Sequence, residues 1–295
     1  MSDNLPDLAS DPQVRDLVRR ALEEDIGPGD CTSEALIGEN EQASAVILAR
    51  RACIVAGLPV AQLVFKTRDA QVDCRSEVRD GDEVKAGQSV LTLNGRARSI
   101  LAAERVALNF LQRLSGIATL TRQFVQKAAP FGVQIMDTRK TTPTLRALEK
   151  YAVLCGGGAN HRAGLFDRIL IKDNHRAAWA RHGAGGLAGA ISEARRRFPK
   201  HVIEIEVENE SELEQVLPAG PDWVLLDNME PDQLRRCVAI VHGRCKIEAS
   251  GGITLENIEA VARTGVDAVS VGVLTHSAPA ADFSLEFQPG EDSDG

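Results

Sequence analysis

The 295-residue sequence contains no apolar run long enough to span a bilayer. Its most apolar stretch, residues 52–65, is short and includes Gly57, Pro59 and Gln62. The first twelve residues lack the basic and apolar regions of a signal peptide. The six cysteines form no CxxC pair and no zinc-ligand spacing, which predicts scattered, buried free thiols. We therefore expect a cytoplasmic protein that does not enter a membrane.

Positive charge is also in short supply. Lys and Arg number 34 against 42 Asp and Glu, so the formal net charge is −8. A general nucleic-acid binder relies on cationic surface, so this class of protein is disfavoured. The sequence has neither a P-loop motif nor a GxGxxG motif after a predicted strand. With 43% hydrophobic residues, the chain has ample material for a folded core.

The first part of the chain mixes helical and strand-like patterns. Residues 12–24 predict a helix, residues 43–95 predict strands, and residues 99–128 predict a long helix or a helix pair broken at Ser115-Gly116. Residues 78–87 predict a hairpin whose Gly-Asp-x-Val-x-x-Gly run is similar to that of biotinyl or lipoyl carriers. Lys85 lies between two turn signals instead of at a hairpin tip, which disfavours a carrier.

From residue 131 onward, short β-branched runs alternate with amphipathic segments, which predicts a parallel sheet. The first helical region could contribute to closing a barrel of seven or eight units. The predicted strands are residues 133–136, 169–171, 202–207, 223–226, 246–247 and 268–273, and the predicted helices are residues 142–154, 188–197, 211–217, 231–241 and 254–264.

Charged residues directly follow several of these strands. In a β/α barrel all strands end at one rim, and that rim carries the active site. From Arg139 to Arg176 there are eight Lys or Arg and three Asp or Glu, a local charge of +5. Like charges on one rim repel unless an anion neutralises them, so this part of the sequence implies a small polyanionic substrate.

Carboxylates and glycines add two further expectations. Alternation along a strand places Glu204, Glu206 and Glu208 on one face, and Glu206 with Asp227 could bind Mg²⁺ or ribose hydroxyls. Pairing of these glutamates with nearby basic residues remains an alternative. The glycine clusters at residues 156–158 and 250–252 could hold phosphate, although tight turns use glycine as well.

Longer motifs carry a family resemblance. They are DTRKTTP at residues 137–143, EKYAV at 149–153, GGGANHR at 156–162 and LIKDNH at 170–175. Over nearly its whole length the chain resembles the quinolinate phosphoribosyltransferases, also called nicotinate-nucleotide pyrophosphorylases (carboxylating). One departure is Thr144, where the family usually has Gly after the Pro of this loop.

The resemblance implies an α/β protein with an N-terminal open α/β sandwich domain and a C-terminal incomplete α/β (TIM-like) barrel. The sandwich would comprise residues 1–115, joined by residues 276–295, and the barrel residues 116–275. The implied reaction transfers phosphoribosyl from 5-phosphoribosyl 1-diphosphate to quinolinate with decarboxylation, giving nicotinate mononucleotide, CO₂ and diphosphate. The alternative is a nicotinate-type phosphoribosyltransferase of the same fold, which would bind one carboxylate and need fewer arginines.

The resemblance also implies roles for individual residues. Arg139, Arg162 and Lys172 would bind the quinolinate carboxylates, together with Arg105 and His161, and Thr138 would contact substrate. Lys140 would contact the phosphoribosyl diphosphate, and Glu206 and Asp227 would serve ribose and Mg²⁺; these three would be catalytic. Two turns would hold the 5-phosphate: Ser250, Gly251 and Gly252 in one, and Ser270, Val271 and Gly272 in the other. Arg105 would act across a homodimer with shared active sites, with higher assembly left open.

Overall fold

The computed structural model describes residues 5–289. The helices described are α1 Pro12–Ile26, α2 Cys31–Leu36, α3 Leu58–Arg68, α4 Ala97–Ala128, α5 Arg146–Cys155, α6 Asp173–Trp179, α7 Gly186–Arg197, α8 Glu210–Val216, α9 Pro231–Val241, α10 Ile258–Ala262 and α11 Val273–His276. The strands described are β1 Gln42–Ala49, β2 Cys53–Ile54, β3 Asp73–Ser76, β4 Glu83–Val84, β5 Ser89–Arg96, β6 Gln134–Met136, β7 Ile169–Ile171, β8 Ile203–Val207, β9 Trp223–Asp227, β10 Lys246–Ser250, β11 Ala268–Ser270 and β12 Phe283–Phe287.

The chain divides into two compact units. The first contains the chain up to Arg122, the segment Ala147–Gly157 and the end of the chain from Ala278. The second contains Gln123–Arg146 and Gly158–Ser277. Residues 1–4 and 290–295, which the predicted sandwich domain includes, lie outside the described residues.

The first unit is built on an antiparallel sheet with the strand order β12-β1-β5-β3. The last strand, β12, pairs with β1 from the beginning of the chain. The predicted hairpin at residues 78–87 is wrong, because β4 pairs with β2 in a separate two-stranded sheet. The surrounding residues connect β3 to β5, which pair with each other.

Helix α4 runs unbroken for 32 residues, so the first of the two predicted alternatives, one long helix, is confirmed and the break at Ser115-Gly116 is absent. Its apolar positions, including Leu108, Leu111 and Leu114, are almost completely buried. Gly116 serves packing instead, because a Cβ atom there would overlap the carbonyl oxygen of Pro279. A glycine inside a helix therefore marks a close backbone approach here and not a helix end.

The second unit contains a six-stranded parallel sheet with the order β6-β11-β10-β9-β8-β7. Beyond β6, a bridge joins Met136 to Ala159, so the chain adds one short extended segment at that edge. Together with the antiparallel sheet of the first unit, this confirms the predicted α/β fold with an incomplete barrel. The six barrel strands correspond to the six predicted from the sequence, and no seventh or eighth strand joins this sheet within residues 5–289.

The two faces of the parallel sheet differ in polarity. Ile203, Ile205 and Val207 of β8 alternate with Glu204 and Glu206, and all five are buried. Alternation of this kind sends the aliphatic side chains to one face and the carboxylates to the other. The strand pairing then places Glu248 of β10 on the carboxylate face as well. Glu208, by contrast, lies beyond β8 and is exposed.

Several predicted boundaries differ from the structure. Strand β7 and helix α9 have the predicted limits, whereas β11 ends at Ser270 and α5 begins only at Arg146. Helix α10 spans only Ile258–Ala262, so it is shorter at both ends than the predicted helix at residues 254–264. All six cysteines are free as expected, but only Cys53, Cys155 and Cys237 are buried, whereas Cys74 and Cys245 are half-buried and Cys31 is exposed. Within residues 5–289, none of the helices combines the length and apolar character needed to cross a membrane.

Candidate active site

Polar side chains stand at the carboxyl ends of neighbouring barrel strands. Lys172 follows β7, Asp227 ends β9 and Ser250 ends β10. Ser250 is paired in register with Asp227, and Glu206 lies one residue before the end of β8. The carboxyl ends of β6–β11 form one rim, the barrel mouth, and adjacent strands bring these groups together there.

The segment that follows β6 is fixed by hydrogen bonds. Asp137 is fully buried, and its Oδ1 accepts the backbone N–H of His161 at 2.8 Å. Thr138 Oγ1 accepts the N–H of Lys140 at 3.0 Å. Thr275 Oγ1 donates to the carbonyl oxygen of Lys140 at 2.7 Å. The Lys140 side chain is exposed, so its backbone is held while its ammonium group stays accessible.

Arginines gather beside this segment. Arg162 is only 9% exposed, and burial followed by the charge of Arg139 lowers the pKa of its guanidinium group. Its Nη1 donates to the carbonyl oxygen of Arg168 at 3.4 Å. Arg139 Nε is buried and has no hydrogen-bond partner among the described residues. A buried, unsatisfied donor close to other cations is a suitable site for an anion.

Carboxylates and lysines meet at the same mouth. Lys172 Nζ donates to Glu206 Oε2 at 2.8 Å, and Glu206 is 6% exposed. Burial, and next the charge of Glu206, raises the pKa of Asp227 above its usual value, although Lys172 and Lys140 oppose this rise. Glu206 and Asp227 are thus close enough to repel each other, and a cation between them would relieve that repulsion.

These two carboxylates fit a magnesium site. Mg²⁺ takes oxygen ligands, commonly one or two carboxylates with substrate phosphates and water. Glu206 and Asp227 supply two oxygen donors, and the charge of Glu206 adds to burial in raising the pKa of Asp227. The donor set therefore has the chemistry that the ion requires.

The turn after β10 packs against the residues that follow β9. Asn228 has a φ of 53°. Its Nδ2–H donates to Asp227 Oδ2 at 2.7 Å, and its backbone N–H donates to the carbonyl oxygen of Ser250 at 2.8 Å. Gly251 has a φ of 93°, and a Cβ there would overlap Asn228 Oδ1. Glycine is needed for this close approach. At Gly252 the space around a Cβ position is open.

The turn after β11 borders Lys140. Ser270 ends the strand, and the N–H of Val271 donates to the last carbonyl of β6 at 2.9 Å. A Cβ added at Gly272 would lie 3.1 Å from His276 Nε2 and 3.4 Å from Lys140 Cδ. Gly272 and the Lys140 side chain are therefore immediate neighbours.

A buried charged cluster lies on the carboxylate face. His161 Nε2 is 3.1 Å from Glu204 Oε2 and 3.3 Å from Glu248 Oε2, and Arg168 Nε is 3.2 Å from the same Glu204 oxygen. Burial disfavours a charged ring, but the two glutamates outweigh it and raise the pKa of His161 to about 9. Burial, and next Glu248, raises the pKa of Glu204 to about 7. The cluster thus takes up a proton readily.

Arg105 and the first two glycines of the cluster at residues 156–158 lie in the first unit, whereas Gly158 belongs to the second. Arg105 is an exposed residue of α4 with no hydrogen bond or ion pair within residues 5–289. The glycine cluster at 156–158 has a packing role at its start, because a Cβ at Gly156 would overlap Thr121 and the carbonyl of Ala118 on α4. The expectation that this cluster holds phosphate therefore gains no support from the geometry of Gly156.

Sequence reasoning missed Arg168, Glu248 and Asn228 as members of the site. Arg168 precedes its strand and reaches Glu204, while its guanidinium carbon lies 4.9 Å from the centroid of Trp223. Glu248 sits in the middle of β10, and only the strand pairing reveals its neighbours. Asn228 follows a strand directly and was therefore within reach of the rule that identified Asp227.

Comparison with known proteins decides the family. Residues 30–115 match the model "Quinolinate phosphoribosyl transferase, N-terminal domain", and residues 117–286 match its C-terminal domain counterpart. A relative from Bacillus subtilis, "Probable nicotinate-nucleotide pyrophosphorylase [carboxylating]", is 43% identical over 93% of each chain. The chain belongs to the quinolinate phosphoribosyltransferase family. The resemblance drawn from its motifs is thereby confirmed.

Solved structures agree with this assignment to the quinolinate phosphoribosyltransferases. The nicotinate-nucleotide pyrophosphorylase from Francisella tularensis has a TM-score of 0.90 and 40% identity, covering 97% of this chain and all of that one. Human nicotinic acid phosphoribosyltransferase has a TM-score of 0.60 at 12% identity, covering 94% of this chain and 74% of that one, so this likeness concerns the fold alone. Quinolinate phosphoribosyltransferases are pentosyltransferases, and the chain is an enzyme of this class.

Proposed function

We propose that the barrel mouth of this chain transfers phosphoribosyl from 5-phosphoribosyl 1-diphosphate to quinolinate. The reaction releases diphosphate and CO₂ and leaves nicotinate mononucleotide, a step of NAD biosynthesis. The observation that carries this assignment of the site is the buried, unpartnered Arg139 Nε beside the buried cation of Arg162. The family membership of the whole chain supports the same reaction.

Quinolinate carries two carboxylates, and Arg139, Arg162 and Lys172 are assigned to them. Arginine presents a planar fork of donors that matches a carboxylate. Lys172 is 44% exposed in its side chain and has two ammonium donors beyond the one that Glu206 accepts. Thr138 directly precedes Arg139, and its Oγ1 accepts the N–H of Lys140. It is assigned to the same pocket.

The second substrate is assigned to the other side of the mouth. Glu206 and Asp227 would accept ribose hydroxyls and hold Mg²⁺, which stabilises the negative charge that develops on the leaving diphosphate. Lys140 offers an accessible ammonium group on a fixed backbone for the diphosphate. The turns at residues 250–252 and 270–272 offer backbone N–H groups to the 5-phosphate, and the second of them borders Lys140.

The residues of this chain mainly orient the two substrates and neutralise the charges that develop on them. Breaking the C1–O bond of ribose builds positive charge on the sugar, and the negative carboxylates of Glu206 and Asp227 stabilise that charge. Once the ring nitrogen is ribosylated it is positive. The bond between C2 and its carboxylate then breaks to release CO₂, the electron pair stays on C2 beside the positive nitrogen, and C2 takes up a proton from water. The protein therefore needs to hold the ring in place by the carboxylate pocket, and no covalent nucleophile is required.

The experiment that tests this function mixes the pure protein with quinolinate, phosphoribosyl diphosphate and Mg²⁺ and follows mononucleotide and CO₂. Nicotinate replaces quinolinate in the matched control. Losing one of two charge-paired carboxylates costs a few kcal/mol, so we expect a preference for quinolinate of about a hundredfold or more in kcat/KM. Similar kcat/KM values for the two acids would favour the nicotinate-type alternative.

We further propose a homodimer in which Arg105 serves the partner's barrel mouth. Arg105 is exposed and unpaired in the described chain, which leaves its charge available to another subunit. Arg105→Ala and Lys140→Ala enzymes should each be nearly inactive. Reassociated in equal amounts, they should give about half heterodimers, each with one intact site, and about a quarter of wild-type activity.

Heterodimers confirmed by mass but without recovered activity would show that Arg105 serves its own chain. Assembly beyond a dimer is left open. The cytoplasmic location predicted from the sequence stays a prediction.

A further inference from the structure

The guanidinium group of Arg146 donates to three acceptors inside the second unit. Arg146 is the first residue of α5. Its Nε donates to Thr141 Oγ1 at 3.1 Å, and its Nη1 donates to the carbonyl oxygen of Ala163 at 3.0 Å. Its Nη2 lies 3.5 Å from the carbonyl oxygen of Arg139, the longest of the three contacts. All three acceptors are uncharged, so Arg146 uses its donors here without forming an ion pair through them.

The three acceptors belong to the two segments that carry the pocket arginines. Arg139 and Thr141 lie in the segment after β6, whereas Ala163 directly follows Arg162. A guanidinium group is planar and holds its donors in a fixed arrangement. One such group that contacts both segments therefore holds them at a fixed separation, and the backbone positions of Arg139 and Arg162 depend on it.

Two cations that face one ligand benefit from such a link. Burial, and next the charge of Arg139, lowers the pKa of Arg162, so the two guanidinium groups repel each other before an anion binds. The hydrogen bonds of Arg146 act on the backbone and oppose this repulsion. A dianion then meets two arginines that are already in place, and less of its binding energy is lost in ordering them.

The position of Arg146 in its helix supports the same role. The N-terminus of a helix carries partial positive charge, which disfavours a cation in the first turn. Arg146 occupies that turn of α5, so its charge does not stabilise the helix. The favourable contacts that the structure gives its side chain are those with the two pocket segments.

We infer that Arg146 is a positioning residue that sets the spacing of Arg139 and Arg162, and through that spacing the preference for a pyridine dicarboxylate over a monocarboxylate. This inference rests on the proposed carboxylate pocket. A dicarboxylate has to satisfy both arginines at once, whereas a monocarboxylate can bind one of them wherever the other lies. The role requires a guanidinium group, because the ammonium group of a lysine is a single point charge that cannot donate at three separate positions.

Equilibrium titration of Arg146→Lys and Arg146→Ala with quinolinate and with nicotinate tests the inference without turnover. Both variants should lose roughly tenfold in quinolinate affinity, the value of about one hydrogen bond from a charged donor, while nicotinate affinity changes less than about threefold. Retained nicotinate binding also shows that the variants are folded. Arg197→Ala is the matched control, since it removes an exposed arginine that pairs with Glu193 on its own helix and should change neither affinity.

Three results would overturn the inference. Full quinolinate affinity in Arg146→Lys with a loss in Arg146→Ala would show that Arg146 acts through its charge alone. A loss of nicotinate affinity as large as that of quinolinate would show an effect unrelated to spacing. Unchanged affinities in both variants would show that the contacts of Arg146 have no influence on the pocket. A wild-type protein that binds the two acids equally well would instead refute the proposed pocket, whatever Arg146 does.

Thr141→Val tests the same link if the Arg146 variants fail to fold. It removes the hydroxyl that accepts from Arg146 Nε with little change of volume, whereas Thr141→Ser keeps a hydroxyl at this position. We expect Thr141→Val to weaken quinolinate binding roughly fivefold and Thr141→Ser to stay within about twofold of wild type, with nicotinate binding unchanged in both. Equal quinolinate affinities of the two Thr141 variants would overturn the inference.

Discussion

Thr144 occupies a backbone conformation that favours glycine. The N–H of Leu145 donates to the carbonyl of Thr142 at 3.1 Å, and Pro143 and Thr144 are the central residues of that turn. Thr144 has a φ of 68°. Pro at the first central position and a positive φ at the second are the features of a type II turn, which usually has Gly there. The departure from the family noted in the sequence is therefore a departure at a strained position.

The size of the strain can be worked out. A residue with a Cβ in the left-handed region costs about 1–2 kcal/mol. Glycine avoids this cost but loses more conformational entropy on folding, about 0.5–1 kcal/mol. The Thr144 side chain is exposed, so little packing is lost with it. We expect Thr144→Gly to raise the free energy of unfolding by about 0.5–1 kcal/mol, the difference between these two effects.

Urea unfolding of wild type, Thr144→Gly and Thr144→Ala measures the effect. Where φ is negative, replacing glycine by alanine normally raises the free energy of unfolding by about 0.4–1 kcal/mol. A larger free energy of unfolding for Thr144→Gly than for Thr144→Ala would therefore show that the positive φ of this turn is strained. Ala147→Gly, in the exposed first turn of α5, is the matched control and should lower stability by about 0.5–1 kcal/mol. If Thr144→Gly is less stable than Thr144→Ala, the strain argument is wrong.

Further predictions concern the site and the first unit. Asp227→Asn should lower kcat by about a hundredfold, because the ribose side of the site loses a carboxylate. Quinolinate affinity, measured by titration, should change less than about threefold, and the reverse pattern would place Asp227 in the carboxylate pocket. Gly251→Ala should weaken phosphoribosyl diphosphate binding at least tenfold because its Cβ overlaps Asn228, whereas Gly243→Ala, with a φ of 75° and open space, should leave KM unchanged. Tyr151→Phe removes the 2.8 Å hydrogen bond to buried Asp80 and should lower the free energy of unfolding in urea by about 1–2 kcal/mol without changing KM. Equal stability of the two proteins would mean that the bond contributes nothing.

The sequence allowed some of these features to be predicted, for physical reasons that differ from residue to residue. Lys172, Glu206 and Asp227 could be located because parallel strands end at a common rim, so a residue at or next to the end of a strand is placed by topology alone. Glu248 directly follows the predicted strand at residues 246–247, but β10 continues to Ser250, so Glu248 lies inside the strand and its neighbours come from the pairing of β10 with other strands. Gly116 left the choice between one helix and a helix pair undecided, because a helix interior tolerates glycine when another chain segment approaches it closely.

The pairing of β12 with β1 has a consequence for any attempt to divide this protein. A fragment ending near residue 115, where the match to the N-terminal domain of the family stops, would lack both β12 and α5. Strand β1 would then present the unpaired N–H and C=O groups of Gln42–Ala49 at the edge of its sheet. Exposed edges of this kind recruit strands from other molecules, so such a fragment should aggregate. Adding residues 278–289 back as a separate peptide should restore solubility by filling that edge.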